Sequence, residues 1–205
     1  MPARVILGVA HARREIVEVC RRLYDRGLIA GPDGNVSVRI KEDRILVTPA
    51  GLSKVDVRAS DLVELQLEHE HEKSSKGKGH ESSEVEVHFA AYAIRPDIRA
   101  VVHAHPPVAT GFSVAGETVE HPLLAELVYG VGTTVPLVAY APPGSRALAE
   151  LAAEALRSYD VVLLQHHGAV TVGPALLVAH QRMESLEHAA CILLAARQVK
   201  GRANR

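Results

Sequence analysis

The run Ile98-Arg99-Ala100-Val101-Val102-His103-Ala104-His105-Pro106-Pro107 decides the fold. Residues 98–105 read as a buried strand, apolar and rich in valine, and the two prolines that follow cannot continue a hydrogen-bonded ladder. A second apolar stretch, residues 161–172, reads the same way and is interrupted by Gln165-His166-His167-Gly168. Two core strands therefore each run into histidine.

Around these strands the chain alternates its periodicity. Residues 9–28 carry Ile16, Val19, Cys20, Leu23 and Tyr24 at helical spacing, and Gly27, Gly31, Pro32 and Gly34 then break the helix. Val36, Val38 and Ile40 alternate with Ser37 and Arg39, the pattern of a half-buried strand. Residues 45–48 supply its partner, ended by Pro49-Ala50-Gly51. Leu62 to Leu67 reads as another strand and residues 68–83 as a polar loop. Ser83-Glu84-Val85-Glu86 has the form of a capping box, so a helix is expected from about Glu84 to before Pro96. Short helices over 108–130, a strand over 133–140, a helix over 145–159 and a long helix over 174–200 complete the pattern. Mixed strands and helices without strict βαβ alternation predict an α/β sandwich around a mainly antiparallel sheet, built as one domain over residues 1–205.

Composition narrows the function. The formal net charge of −1 leaves no basic footprint for nucleic acid, and no apolar run is long enough to span a bilayer. Cys20 and Cys191 form no metal or redox motif, which points to a reducing, cytoplasmic setting. Amides are scarce: Asn occurs only as Asn35 and Asn204, and Gln as Gln66, Gln165, Gln181 and Gln198. With plentiful charged residues, that scarcity predicts a heat-stable protein.

Histidine is abundant, at 12 of 205 residues, so roughly 0.7 His-x-His pairs are expected by chance. Context separates the two that occur. His69 and His71 lie in a charged polar run and read as a solvated face. His103 and His105 end an apolar strand, where polar rings need a reason to be. Joined by a histidine from 165–168, they would make three imidazoles with an open position, the layout of a catalytic zinc site. Pattern alone leaves His166 and His167 as alternatives, although Gly168 beside His167 suggests a close backbone approach. Glu84, in the first turn of its helix, is either a dipole-favouring carboxylate or a metal ligand and general base. Asn35 sits in a glycine-rich turn in a chain that nearly avoids asparagine. Ser82 and Ser83 precede a helix, a natural phosphate position.

Gly34-Asn35-Val36-Ser37, Thr48-Pro49-Ala50-Gly51, Ser82-Ser83-Glu84, His103-Ala104-His105 and Gln165-His166-His167-Gly168 follow one another in that order. In this the chain resembles the class II aldolases of the L-fuculose-phosphate aldolase type. Their superfamily also holds ribulose-phosphate 4-epimerases and the adducin head domain. The resemblance spans about residues 9–195. It implies a three-layer α/β/α sandwich, usually a homotetramer with sites between subunits. It implies one zinc ion per chain on His103, His105 and His167, with Glu84 binding the metal at rest and moving protons in turnover. It places Asn35, Gly51, Ser82 and Ser83 in a phosphate pocket. The implied reaction is reversible cleavage of a ketose 1-phosphate to dihydroxyacetone phosphate and a small aldehyde. Kindred alternatives are a pentulose-phosphate 4-epimerase, a methylthioribulose-1-phosphate dehydratase and an adducin-like interaction domain. The chain departs from the pattern at Pro32 and Ala50, where fuculose-phosphate members often carry hydroxyls. It departs again near Ala125, where a neighbouring subunit's tyrosine is expected; Tyr129 lies close by in sequence.

Overall fold

A computed structural model describes residues 8–67, 84–120 and 125–203. Helix α1 (Val9–Asp25) buries Ala12, Ile16, Val19, Cys20 and Leu23, the stripe its spacing predicts. Tyr24, expected on that stripe, is exposed instead. The helix stops because Gly27 takes a left-handed φ of 67°. This lets Gly27 N–H donate to the Tyr24 carbonyl and Leu28 N–H to that of Leu23, both at 2.9 Å.

Seven strands form one sheet: β1 (Asn35–Lys41), β2 (Arg44–Val47), β3 (Val63–Gln66), β4 (Ala100–Ala104), and later β7 (Leu137–Val138), β8 (Val161–Leu164) and β9 (Gly168–Gly173). Their order is β3-β2-β1-β4-β9-β8-β7. Every neighbouring pair is antiparallel except β7 with β8. Two short strands, β5 (Val119–Glu120) and β6 (Thr134–Val135), pair separately. Residues 133–140, expected as one strand, are thus two short ones that join different sheets, with Pro136 between them. Residues 161–172, expected as one interrupted strand, are a hairpin in which Leu164 pairs with Gly168.

Alternation sorts the strand residues onto two covered faces. Val36, Val38 and Ile40 of β1, Ala100, Val102 and Ala104 of β4, and Val161 and Leu163 of β8 pack with α1 and the long helix α6 (Leu176–Ala203). Val101, Val162, Leu164, Val170 and Val172 pack on the other face with α2 (Val85–Ile94) and α5 (Arg146–Leu156). Two helical layers around a mainly antiparallel sheet make the expected three-layer sandwich. The expectation of a half-buried β1 needs correction, because Ser37 is fully buried beneath α2 rather than facing water. Helices α3 (Pro107–Val114) and α4 (Ala125–Val131) pack against α6. No helix among the described residues is long and apolar enough to cross a membrane.

Candidate metal centre and cleft

His103 sits inside β4, directly between Asn35 of β1 and Val170 of β9. Its ring leaves the sheet on the α2 face. Nδ1 lies 2.9 Å from the Ala169 carbonyl, which can only accept, so Nδ1 carries the proton and Nε2 keeps its lone pair. His105 follows the strand and is held by its own N–H, which donates to the Leu28 carbonyl at 3.0 Å. The turn that follows α1 therefore sets the position of His105. His167 comes from the β8–β9 turn, closed by its N–H to the Leu164 carbonyl at 3.1 Å.

That turn resolves the choice between adjacent histidines. His166 adopts a left-handed φ of 56° and is exposed, with its ring 6.2 Å from that of Tyr140. His167 points inward. The three rings of His103, His105 and His167 stand 4.8 to 5.1 Å apart, centre to centre. One nitrogen of each lies within 4.8 Å of the others.

Glu84 occupies the N-cap of α2, one residue before the helix proper. Its two oxygens reach His167 Nε2 at 2.8 Å and His103 Nε2 at 3.1 Å. Burial alone would raise its pKa, but the adjoining His103 and His167 imidazoles, when protonated, outweigh that and hold the carboxyl well below its usual range. His105 is pushed down to about 4 by burial and by the neighbouring His103 and His167. Its Nδ1 faces Asp33 Oδ2 at 3.6 Å.

This donor set fits a metal ion. His103 Nε2 presents its lone pair to the Glu84 Oε2 carboxylate oxygen at 3.1 Å, two acceptors facing one another, and His105 Nε2 stands 3.2 Å from the same nitrogen, so a cation has a place among them. Two imidazole nitrogens on one tetrahedral zinc are about 3.3 Å apart, given Zn–N bonds of about 2.0–2.1 Å.

Two glycines make the approach possible. A Cβ on Gly168 would stand 2.5 Å from the Ala104 carbonyl oxygen and 2.5 Å from His105 Cδ2, which explains the glycine beside His167. A Cβ on Gly34 would stand 2.6 Å from the His103 carbonyl oxygen.

A cavity of about 250 Å³ opens beside the cluster. It is lined by Pro32, Asp33 and Gly34, by Pro49, Ala50, Gly51 and Lys54, and by Glu84 and His105. Of the residues expected to hold phosphate, Gly51 lines it, in a left-handed turn with φ 73°. Asn35 is next to the cavity-lining Gly34 but is itself buried, with Oδ1 accepting from His88 Nε2. Ser82 and Ser83 lie outside the described residues, as do His69 and His71. Tyr129 is 91% exposed on α4.

Sequence reasoning missed two residues here. His88 is fully buried; its Nδ1 lies 2.6 Å from Ser37 Oγ, which also meets the Tyr92 hydroxyl at 2.9 Å. The available signal was its spacing, four residues after Glu84 on the same helical face. Lys54 is 2% exposed, and lysines are rarely buried so deeply. No sequence pattern marked it.

Comparison with known proteins agrees with this geometry. Residues 14–194 match the family described as class II aldolase and adducin N-terminal domain. The L-fuculose phosphate aldolase of Methanocaldococcus jannaschii is 33% identical over 182 residues, covering 89% of this chain and 95% of that protein. The Escherichia coli K12 enzyme of the same name is 35% identical, covering 82% of this chain and 77% of that protein. The crystal structure of L-fuculose-1-phosphate aldolase from Thermus thermophilus superposes with a TM-score of 0.83 at 35% identity, over 94% of this chain and 97% of that one. With a metal-dependent family's fold, a three-histidine cluster and relatives of this similarity, the chain belongs to the class II aldolase and adducin N-terminal domain family and is one of its lyases.

Proposed function

We propose that the chain reversibly cleaves a ketose 1-phosphate of the fuculose 1-phosphate type, giving dihydroxyacetone phosphate and a small aldehyde. The observation that carries this reading is Glu84: its carboxylate bridges His103 and His167 and also faces the cavity. His103, His105 and His167, with Glu84 at rest, would hold one zinc ion per chain. Bound there, the ion supplies Lewis acidity toward a carbonyl and an adjacent hydroxyl. Glu84 handles the proton at the carbon that becomes nucleophilic. In cleavage, the hydroxyl on the carbon that becomes the aldehyde gives up its proton to solvent, the carbon–carbon bond breaks with its electron pair passing toward the ketone oxygen, and Glu84 returns a proton to the carbon left on the ketone fragment. In synthesis, Glu84 removes the same proton. The phosphate would lie among Asn35, Gly51, Ser82 and Ser83, which points the hydroxyl-bearing carbon at Glu84.

The relatives' names support the substrate class, since each is a fuculose phosphate aldolase. Homotetrameric assembly, with sites shared between subunits, is supported by family kinship, and light scattering measures it directly. Cytoplasmic location is supported by cysteines that stay unpaired, Cys20 buried and Cys191 exposed.

The test is solvent exchange. Metal-loaded protein in deuterated water should exchange a proton of dihydroxyacetone phosphate at the hydroxyl-bearing carbon and not at the phosphate-bearing one. Exchange should vanish on chelation and be far weaker with unphosphorylated dihydroxyacetone. A folded, metal-loaded sample that neither exchanges nor cleaves any ketose 1-phosphate overturns the aldolase reading in favour of the dehydratase or the epimerase.

A further inference from the structure

The cavity carries an imbalance of charge. Its side chains include two carboxylates, Asp33 and Glu84, and its two loops present Pro32, Gly34, Pro49, Ala50 and Gly51, none of which has a side-chain donor. Lys54 is the single lysine or arginine among the described residues that line it. A phosphate brought into this space needs positive charge beside it, because an anion buried beside two carboxylates without a counter-charge is strongly disfavoured.

Lys54 is built to supply it. The side chain is 2% exposed. Nζ donates to the Pro32 carbonyl at 2.7 Å and to the Leu52 carbonyl at 3.2 Å. An ammonium has three donors, so one N–H has no acceptor among the described residues. The backbone N–H of Lys54 also donates to the Gly31 carbonyl at 3.3 Å. One residue therefore ties the 31–34 loop to the 49–53 loop and leaves a donor over at their junction. Burial lowers the ammonium's pKa, and the Asp33 and Glu84 carboxylates act in the opposite direction.

We infer that Lys54 is the charge that selects phosphorylated substrates: its ammonium pairs with the substrate phosphate through the remaining N–H while its other two donors fix the loops on either side. The inference rests on the proposed reading of the site as one for a phosphorylated sugar.

Two variants separate charge from stapling. Lys54→Met removes both, whereas Lys54→Gln removes the charge and keeps a donor for a loop carbonyl. With dihydroxyacetone phosphate as exchange substrate, both should lose about 10- to 100-fold in kcat/KM, the range for a hydrogen bond to a charged group. The loss should fall mainly in KM. Exchange of unphosphorylated dihydroxyacetone should fall far less, and metal content should be retained. Recovery of phosphate selectivity in Lys54→Gln, or equal loss on both substrates, would show a loop staple only and overturn the inference. Inorganic phosphate titrated into ¹⁵N-lysine-labelled wild-type protein gives a readout independent of turnover and of the variants' folding. A buried lysine Nζ resonance, assigned to Lys54, should shift on saturation; no shift overturns the inference. A wild type that binds phosphate at Lys54 yet performs no exchange would instead count against the proposed reaction.

Discussion

Asn35 lies directly across the sheet from His103, and both side chains leave the sheet on the face that α2 covers. The amide and the imidazole are thus fixed by one strand register. Beneath them, His88 is pushed down to about 3, by burial first and by the proximity of His103 second, against an opposing pull from Glu84.

A histidine kept neutral in the fold but free to protonate when unfolded contributes stability that is complete above its unfolded pKa of about 6.5 and lost as pH falls toward 3. In metal-stripped protein, the unfolding free energy should drop by about 2 kcal/mol more in wild type than in His88→Gln between pH 6.5 and pH 5, at about 1.4 kcal/mol per pH unit. His105 and His180 also shift downward, but they do so in both proteins and cancel. Chemical denaturation at each pH measures the difference; parallel curves would mean that His88 is not the group responsible.

Metal occupancy should depend on three histidines and ignore a fourth. Alanine at His103, His105 or His167 should weaken metal affinity by more than about tenfold, since loss even of a partner outside the ligand set costs that much. His166→Asn should leave affinity intact, because His166 is exposed and asparagine tolerates its left-handed backbone. Equal loss from His166 and His167 variants would show that the turn as a whole, and not one imidazole, holds the ion.

Glu84→Gln should lower turnover by at least about 100-fold, the low end for a general base. The helix should survive, because Glu84 makes no capping hydrogen bond with its side chain and Glu86 keeps a carboxylate in the first turn. Circular dichroism and single-turnover rates check the two halves. Normal turnover in a folded variant would end the proton-transfer assignment.

Gly168→Ala tests the close approach. The added methyl would press on both the Ala104 carbonyl and the His105 ring. Overpacking of this kind costs about 1–3 kcal/mol, and the displaced ring should weaken metal binding as well. Urea unfolding and metal dissociation should therefore both respond. A change in stability with unchanged metal affinity would mean that the strand gives way and not the imidazole.

Much of this was legible in the residues. The apolar stretches around Val101-Val102 and Val161–Leu164 announced the central strands, and the polar rings at their ends announced a site. Alternation in β1 told which residues share a face, but not that α2 would cover the polar one; periodicity is blind to what lies opposite. The 165–167 turn read as an interruption because its left-handed residue is a histidine where glycine or asparagine is the usual signal. Lys54 and His88 stayed hidden for a related reason: their roles come from burial, and burial of a single polar side chain is a property of the assembled fold.

Odd-numbered residues Asn35 and Ser37 of β1 and His103 of β4 share the face of α2, while even-numbered Val36, Val38 and Val102 share that of α1 and α6. A slip of one residue in either strand would turn valine toward Glu84 and imidazole into the oil beneath α1. A misregistered molecule is then chemically silent as well as unstable, so activity measured during refolding would double as a clock for correct strand pairing.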